Sequence, residues 1–294
     1  MSLTAEPIPL LAAARLGEGA LWDDRHNLLL WIDIHGQTFH RYTPATGQQA
    51  TTYFDEEIGT VAPRALGGWV VALRSRLQAV TPDGTPGEVL ALHPMPGLRF
   101  NDGKCDPAGR LWVGTFADAW IANSALYRID PPCSFSQMLD GVICSNGLVW
   151  SQNQRTMYYI DSGTQRVDAF DYNRAAGTIK NRRPVVDFAG QPGVPDGMAI
   201  DAEGMLWIAI YSEVGDAGHV LRCNPHNGEI IDDVTIPGVT EVTSCAFSGE
   251  DLRTLYITTA ACLDVETLAR QPHAGRLFQV AAPVAGMPAF RFAG

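Results

Sequence analysis

The sequence predicts an all-β fold, a six-bladed β-propeller with four antiparallel strands per blade. Three observations predict it: a short apolar strand with an aromatic residue recurs six times, turn signals fall in phase with it, and no convincing helical period competes. The recurring strand reads Leu30-Trp31-Ile32-Asp33, Trp69-Val70-Val71, Leu111-Trp112-Val113-Gly114, Tyr158-Tyr159-Ile160-Asp161, Leu206-Trp207-Ile208-Ala209 and Leu255-Tyr256-Ile257-Thr258. The steps between the aromatic anchors Trp31, Trp69, Trp112, Tyr159, Trp207 and Tyr256 are 38, 43, 47, 48 and 49 residues. A period in the forties matches one blade per repeat.

The repeats follow in order. In the first, a turn at Asp23-Asp24-Arg25-His26-Asn27 precedes the anchor and Thr43-Pro44-Ala45-Thr46-Gly47 follows it, leaving four short stretches at residues 19–22, 28–34, 38–43 and 48–54. In the second, Thr81-Pro82-Asp83-Gly84 follows Trp69, and in the third Asp106-Pro107-Ala108-Gly109 precedes Trp112. The fourth is marked by its anchor strand around Tyr159. The fifth is bracketed by Asp201-Ala202-Glu203-Gly204 and Asn224-Pro225-His226-Asn227-Gly228, and Ser248-Gly249-Glu250-Asp251 precedes the anchor of the sixth. Gly supplies a positive φ, Pro presets φ, and Asn and Asp bond their own backbone, so these clusters read as hairpin turns. A propeller must close its ring, and residues 7–14 are expected to supply a strand to the last blade, beside residues 289–292. No composition shift or linker divides the chain, so residues 1–294 are expected to form a single domain.

Composition sets bounds on function. At 46% hydrophobic and 18% charged residues the chain is too apolar for intrinsic disorder. Its 294 residues would bury roughly three quarters of the unfolded surface, so folding needs neither disulfide nor metal. A net charge of -11 argues against nucleic acid and against an anionic membrane surface. The six cysteines (Cys105, Cys133, Cys144, Cys223, Cys245 and Cys262) form no C-x-x-C pair and read mainly as buried thiols in a reducing compartment. The apolar run at residues 10–14 follows Glu6 and two prolines with no basic residue ahead of it. That is no secretory signal and is too short to span a bilayer, and the expected location is the cytoplasm.

Most catalytic signatures are missing: no G-x-S-x-G elbow, no H-E-x-x-H, no phosphate loop. The histidines are scattered and read as surface or turn residues. What remains is a polar cluster just before the first strand of several repeats: Gly17-Glu18-Gly19, Asn101-Asp102-Gly103, Ser145-Asn146-Gly147 and Pro195-Asp196-Gly197. Glu18 and Asn146 lie 13 residues before their anchors, Asn101 and Asp196 lie 11 before theirs, and Thr243 and Ser244 hold a similar phase. Asn-Gly and Asp-Gly are hairpin dipeptides, yet Asp83-Gly84 and Asp140-Gly141 fall out of this phase. The first strand of a blade is innermost, so residues at its entrance point toward the axis from different blades. Carboxylates brought together repel unless a cation or shared protons compensate, and a hard divalent cation held by oxygen atoms resolves the conflict. Spacing alone does not choose between Asn101 and Asp102. Arg99, two residues before Asn101, projects from the same face of an extended segment and is placed to meet an oxygen-rich ligand.

At these residues the chain resembles the regucalcin/gluconolactonase family, also called senescence-marker-protein-like lactonases. The matching segments are Leu16-Gly-Glu-Gly-Ala-Leu-Trp22, Arg99-Phe-Asn-Asp-Gly-Lys-Cys-Asp-Pro-Ala-Gly-Arg110, Ser145-Asn-Gly-Leu148, Val167-Asp-Ala-Phe-Asp-Tyr172, Pro195-Asp-Gly-Met-Ala-Ile-Asp-Ala-Glu-Gly204 and Arg270-Gln-Pro-His-Ala-Gly275. The resemblance implies a propeller with one divalent cation on the axis, ligated by Glu18, Asn146 and Asp196. It implies substrate contacts at Arg99 and Asn101, so choosing Asn101 over Asp102, and a general base at Asp196. One stretch departs: some relatives carry two acidic residues where this chain reads Gly114-Thr-Phe-Ala-Asp-Ala-Trp120, which keeps Asp118 as a substrate contact but has Ala119 next. The identity of the sugar is therefore not carried over.

The function so implied is metal-dependent hydrolysis of a sugar lactone to the aldonic acid, the cation polarising the carbonyl and Asp196 taking a proton from water. Whether Asp196 or a metal-bound hydroxide is the effective base stays open, as does the metal among calcium, magnesium, manganese, zinc and iron. The rival readings are a calcium-binding regulatory protein without physiological hydrolysis, an interaction propeller, and a lactonase for non-sugar esters. No Gly-His…Trp-Asp signature supports the second.

Overall fold

Six antiparallel sheets surround a common axis, each contributing its first strand to the centre. The computed structural model describes residues 3–9 and 13–294. The innermost strands are Gly17–Asp23, Ile58–Pro63, Arg99–Cys105, Ser145–Trp150, Val194–Ile200 and Val242–Ser248. The second strands are Leu28–Asp33, Trp69–Leu73, Leu111–Phe116, Thr156–Asp161, Leu206–Tyr211 and Thr254–Thr259. Each of these holds one aromatic anchor, and every anchor is buried. The β-propeller expectation of four antiparallel strands per blade is met in all six sheets, with a fifth strand added to one.

The anchors sit between blades. Trp112 meets Trp150 of the next blade edge-on at 6.0 Å, and Trp207 meets Phe247 at 5.4 Å. Burying an indole removes 150–250 Å² from water, worth roughly 4–6 kcal/mol before entropy is counted. Turn aspartates complete the polar edge of these rings. Asp106 Oδ2 accepts from Trp112 Nε1 at 2.9 Å and from the Tyr172 hydroxyl at 2.7 Å, while its Oδ1 accepts from the backbone of Ala108 and Arg110. Asp201 repeats the device two blades on, accepting from Trp207 Nε1 at 2.9 Å, Arg222 Nε at 2.8 Å and the backbone of Glu203 and Met205. Turn and anchor are thus one unit, which is why they stay in phase along the chain.

Ring closure differs from the expectation. Glu6–Pro7 pairs antiparallel with Phe278–Ala281 as the outer strand of the last blade, and Leu3–Thr4 adds a parallel strand beside Ile230–Pro237. Residues 289–292 do not pair there. Phe292 is buried and bridges to Arg64, its N donating to the Pro63 carbonyl at 2.8 Å. Residues 10–12 of the expected closing strand lie outside the described residues. An N-terminal strand locks the ring as expected, but the last residues seal the gap between two other blades instead.

Two smaller features depart from the sequence reading, a short helix and the histidines, while the cysteines are mainly buried as expected. Among the described residues there is one short α-helix, Val265–Arg270, capped by Asp264, and none is long and apolar enough to cross a membrane. All six cysteines are free; Cys133 is half-buried and Cys262 exposed, the other four buried. His93 is buried and His40 half-buried, where surface or turn positions were expected. His40 stacks on Trp31 with ring centroids 4.8 Å apart and shares hydrogen bonds with Thr38, Thr51 and Gln49.

Two outcomes follow for stability. Asp201→Ala leaves the buried Trp207 N–H without its acceptor and strips Arg222 of a buried counter-charge, an expected loss of about 2–4 kcal/mol. Urea unfolding would show a lower midpoint at an unchanged slope; an unmoved midpoint would contradict the strut. His40 is pushed down to about 4 by burial, against a weaker upward pull from Asp33. Its folded pKa is below its ordinary value, so its contribution is complete above pH 6.5 and lost as pH falls toward 4. Unfolding free energy measured across that window should fall in the native protein and fall less steeply in His40→Gln.

Candidate functional site

The polar–glycine pairs expected just ahead of the inner strands lie within them. All six inner strands break register with their second strand near the start; Asn101, Asn146 and Asp196 sit in these breaks, and Glu18 is the last paired residue before its own. A bulge re-aims a side chain that a regular strand would direct between blades. The following glycine serves close approach rather than a hairpin. A Cβ at Gly147 would lie 2.7 Å from the Asp196 carbonyl oxygen, and one at Gly197 would lie 2.4 Å from Ser244 Oγ. The entrances to two of these strands are pinned by the aspartates that end the neighbouring anchor strands. Asp33 accepts from Arg15 N at 2.9 Å and Leu16 N at 3.0 Å, and Asp161 accepts from Cys144 N at 2.9 Å.

One cavity of about 820 Å³ opens at this end of the axis, and Glu18, Arg99, Asn101, Asp118, Asn146 and Asp196 all line it. A hydrogen-bond relay crosses three blades at its base. Arg99 Nη1 donates to Asn101 Oδ1, Asn101 Nδ2 donates to Asn146 Oδ1 at 2.9 Å, Asn146 Nδ2 donates to Ser162 Oγ at 2.8 Å, and the Ser162 hydroxyl donates to the Pro195 carbonyl at 2.6 Å. The relay fixes both amides: each Nδ2 faces the protein, and Asn146 Oδ1 keeps a lone pair. It also ties the residue before Asp196 to Asn146. Arg99 lies over the Phe116 ring at 4.7 Å, so its guanidinium is held from both sides.

The carboxylates are under electrostatic load. Burial, then repulsion by Asp102, pushes Glu18 up to about 8 despite the hydrogen bond from Gly19 N. Burial, then Glu18 and Asp102, pushes Asp196 well above the usual carboxylate range. Asp196 Oδ1 is buried and has no hydrogen-bond partner among the described residues. Two crowded carboxylates, an unpaired carboxylate oxygen and an oriented amide oxygen form a donor set that fits a hard divalent cation. Among the described residues no group of three or more His, Cys, Asp or Glu is arranged to hold a metal. The donor set at the axis is of another kind, two carboxylates joined by an amide oxygen.

Not every residue singled out in the sequence is gathered at the cavity. Thr243 and Ser244 share the bulge phase but do not line it; Thr243 Oγ1 bonds the Gly17 carbonyl, and Thr258 Oγ1 at 2.9 Å. Asp102 is buried off the cavity, its Oδ1 accepting from Gly103 N at 2.7 Å. Asp118 stands at the mouth, 73% exposed, 3.5 Å from Arg74. Other lining residues carry no site signal in the sequence repeats, Ser162, Cys144 and His35 among them. Ser162 orients Asn146, Cys144 Sγ lies 3.6 Å from Asn146 Nδ2, and His35 Nδ1 pairs with Glu57 at 3.0 Å. Ser162 follows Asp161 directly after an anchor strand, and that adjacency was the available signal.

Comparison with known proteins bears on this arrangement. The family described as SMP-30/Gluconolactonase/LRE-like region matches residues 16–261. Regucalcin of Gallus gallus is 40% identical over 290 residues, covering 95% of both chains. Among solved structures, a luciferin-regenerating enzyme superposes with a TM-score of 0.90 at 31% identity, covering 99% of each chain. A calcium-binding protein, regucalcin, from Agrobacterium tumefaciens also superposes at 0.90 over 99% of each chain, at 22% identity, a likeness of fold.

The relay has a direct test. Ser162→Ala removes the acceptor of Asn146 Nδ2 and the donor to Pro195, an expected cost of about 1–3 kcal/mol in chemical denaturation. A variant as stable as the native chain would show that Ser162 holds nothing in place.

Proposed function

The chain belongs to the SMP-30/gluconolactonase/LRE-like family, and on that premise we propose that it is a metal-dependent hydrolase opening a sugar lactone to the aldonic acid. The observation that carries the proposal is the gathering of Glu18, Asn146 and Asp196 with Arg99 and Asn101 around one cavity, with Asp196 Oδ1 buried and without a partner among the described residues. A cavity of about 820 Å³ suits a small ligand.

Glu18, Asn146 and Asp196 would hold the cation, which when bound supplies Lewis acidity toward the lactone carbonyl. Asp196 takes the proton of the attacking water. As the acyl C–O bond of the ring opens, that proton passes to the leaving ring oxygen, so the products are a carboxylic acid and a hydroxyl. Arg99 and Asn101, locked to each other, orient the ring oxygens, where a displacement of about 1 Å can cost roughly a hundredfold in rate. The Arg99 charge, buried and stacked on Phe116, faces developing negative charge without competing solvent.

Acid release from a panel of neutral sugar lactones is the test. Chelation should abolish turnover, and adding back a divalent ion should restore it. Asp196→Asn should lower kcat at least about a hundredfold while the all-β circular dichroism spectrum persists. Arg99→Lys, which loses the fork geometry, should raise KM more than it lowers kcat. Full activity in the Asp196 variant would reject its role as base. A cation bound tightly with no turnover on any lactone would favour a calcium-binding regulatory protein instead.

A further inference from the structure

The mouth of the cavity is amphipathic, and its apolar half carries information about substrate. Trp120 lines the cavity, is 48% exposed, and adopts φ +50°, a left-handed conformation that a bulky residue rarely occupies. Local bonds sustain it: Trp120 N donates to the Ala117 carbonyl at 3.0 Å, and Asp118 is tethered by Arg74, itself paired with Glu57 at 2.7 Å. The indole meets Phe116 edge-on at 5.7 Å, and Arg99 lies on that same Phe116 ring. The indole is therefore one ring away from the guanidinium. Val214, 65% exposed, lines the same cavity. A half-exposed indole on the cavity wall, packed edge-on against the ring that carries Arg99, leaves one aromatic face open to a ligand.

The polar lining adds a charge restriction. Glu18, Asp118, Asp196 and Glu213 line the cavity, and Arg99 is the one lysine or arginine doing so among the described residues. Arg74 at the rim is already engaged by two carboxylates. With Glu18 and Asp196 compensated by the cation of the proposed function, an anionic group at this mouth would meet Glu213 and the Arg74-paired Asp118 and find no free lysine or arginine among the described residues.

Resting on the lactonase reading above, we infer that Trp120 is a specificity residue, its indole stacking on the C–H face of an uncharged sugar lactone whose hydroxyls turn toward Arg99 and Asn101. Phosphorylated and other anionic lactones are disfavoured at the mouth, where Glu213 and Asp118 stand and no lysine or arginine among the described residues is free. This goes beyond the family assignment, because it depends on the Ala119-Trp120 pair of this chain.

The experiment compares KM and kcat for a neutral sugar lactone in the native chain, Trp120→Ala and Trp120→Phe, with a phosphorylated sugar lactone as a second substrate of the native chain. Trp120→Ala should raise KM for the neutral lactone roughly tenfold with kcat within about twofold, and Trp120→Phe should recover most of the loss. The phosphorylated lactone should be used at least roughly tenfold less efficiently by the native chain. An unchanged KM in Trp120→Ala, or equal use of the phosphorylated lactone, overturns the specificity role while leaving the hydrolase intact. Absence of turnover on any lactone by the native, metal-supplied chain overturns the lactonase reading and this inference with it.

Discussion

Two carboxylates, Glu18 and Asp196, are buried within electrostatic reach of each other and of Asp102, and that constraint governs the rest of the site. Taking one such charge out of water costs several kcal/mol even after relaxation. The surroundings only partly offset this: a backbone N–H reaches Glu18, while the Arg99 charge acts at a distance, its Nη1 bonded to Asn101 and the Phe100 carbonyl. Lys104 is likewise occupied, by the Met198 carbonyl. Protons or a cation must supply what is missing, and the proposed chemistry follows from the second choice.

The propeller makes such crowding possible because it brings six strand entrances to one axis. Bulges in the inner strands turn the side chains inward, and glycines at 147 and 197 remove the Cβ atoms that would hold neighbouring blades apart. Farther out, the aspartate–tryptophan struts stiffen the frame at positions remote from the chemistry. The amide relay converts that stiffness into orientation, since Asn101 and Asn146 are each bonded to a neighbouring blade. A site held this way needs little reorganisation when a ligand arrives.

Much of this architecture was legible in the sequence, for identifiable reasons. Trp112 and Trp207 each lie six residues after the aspartate that caps their indole, so a local hydrogen bond wrote a local pattern. Glu18, Asn101, Asn146 and Asp196 stand out because the bulge recurs in each inner strand and a glycine follows each of them within two residues. Contacts between distant segments were not legible. Nothing in the composition of residues 289–292 shows that Phe292 seals a gap beside Pro63, while a two-residue strand at Glu6–Pro7 closes the last blade. Ser162 and His35 act through neighbours 16 to 33 residues away, and a lone serine or histidine carries no period. Asn-Gly and Asp-Gly ordinarily mark turns and so point to positions ahead of the strands, whereas within these strands Gly147 and Gly197 answer to the adjacent blade.

The central claim is that Glu18, Asn146 and Asp196 converge on a single divalent cation. Crystals soaked with manganese and measured for anomalous scattering test it most directly. The expected map shows one strong peak on the channel axis within coordinating distance of Glu18, Asn146 Oδ1 and Asp196. A map with no peak at the axis, or with its peak on other side chains, would contradict the account.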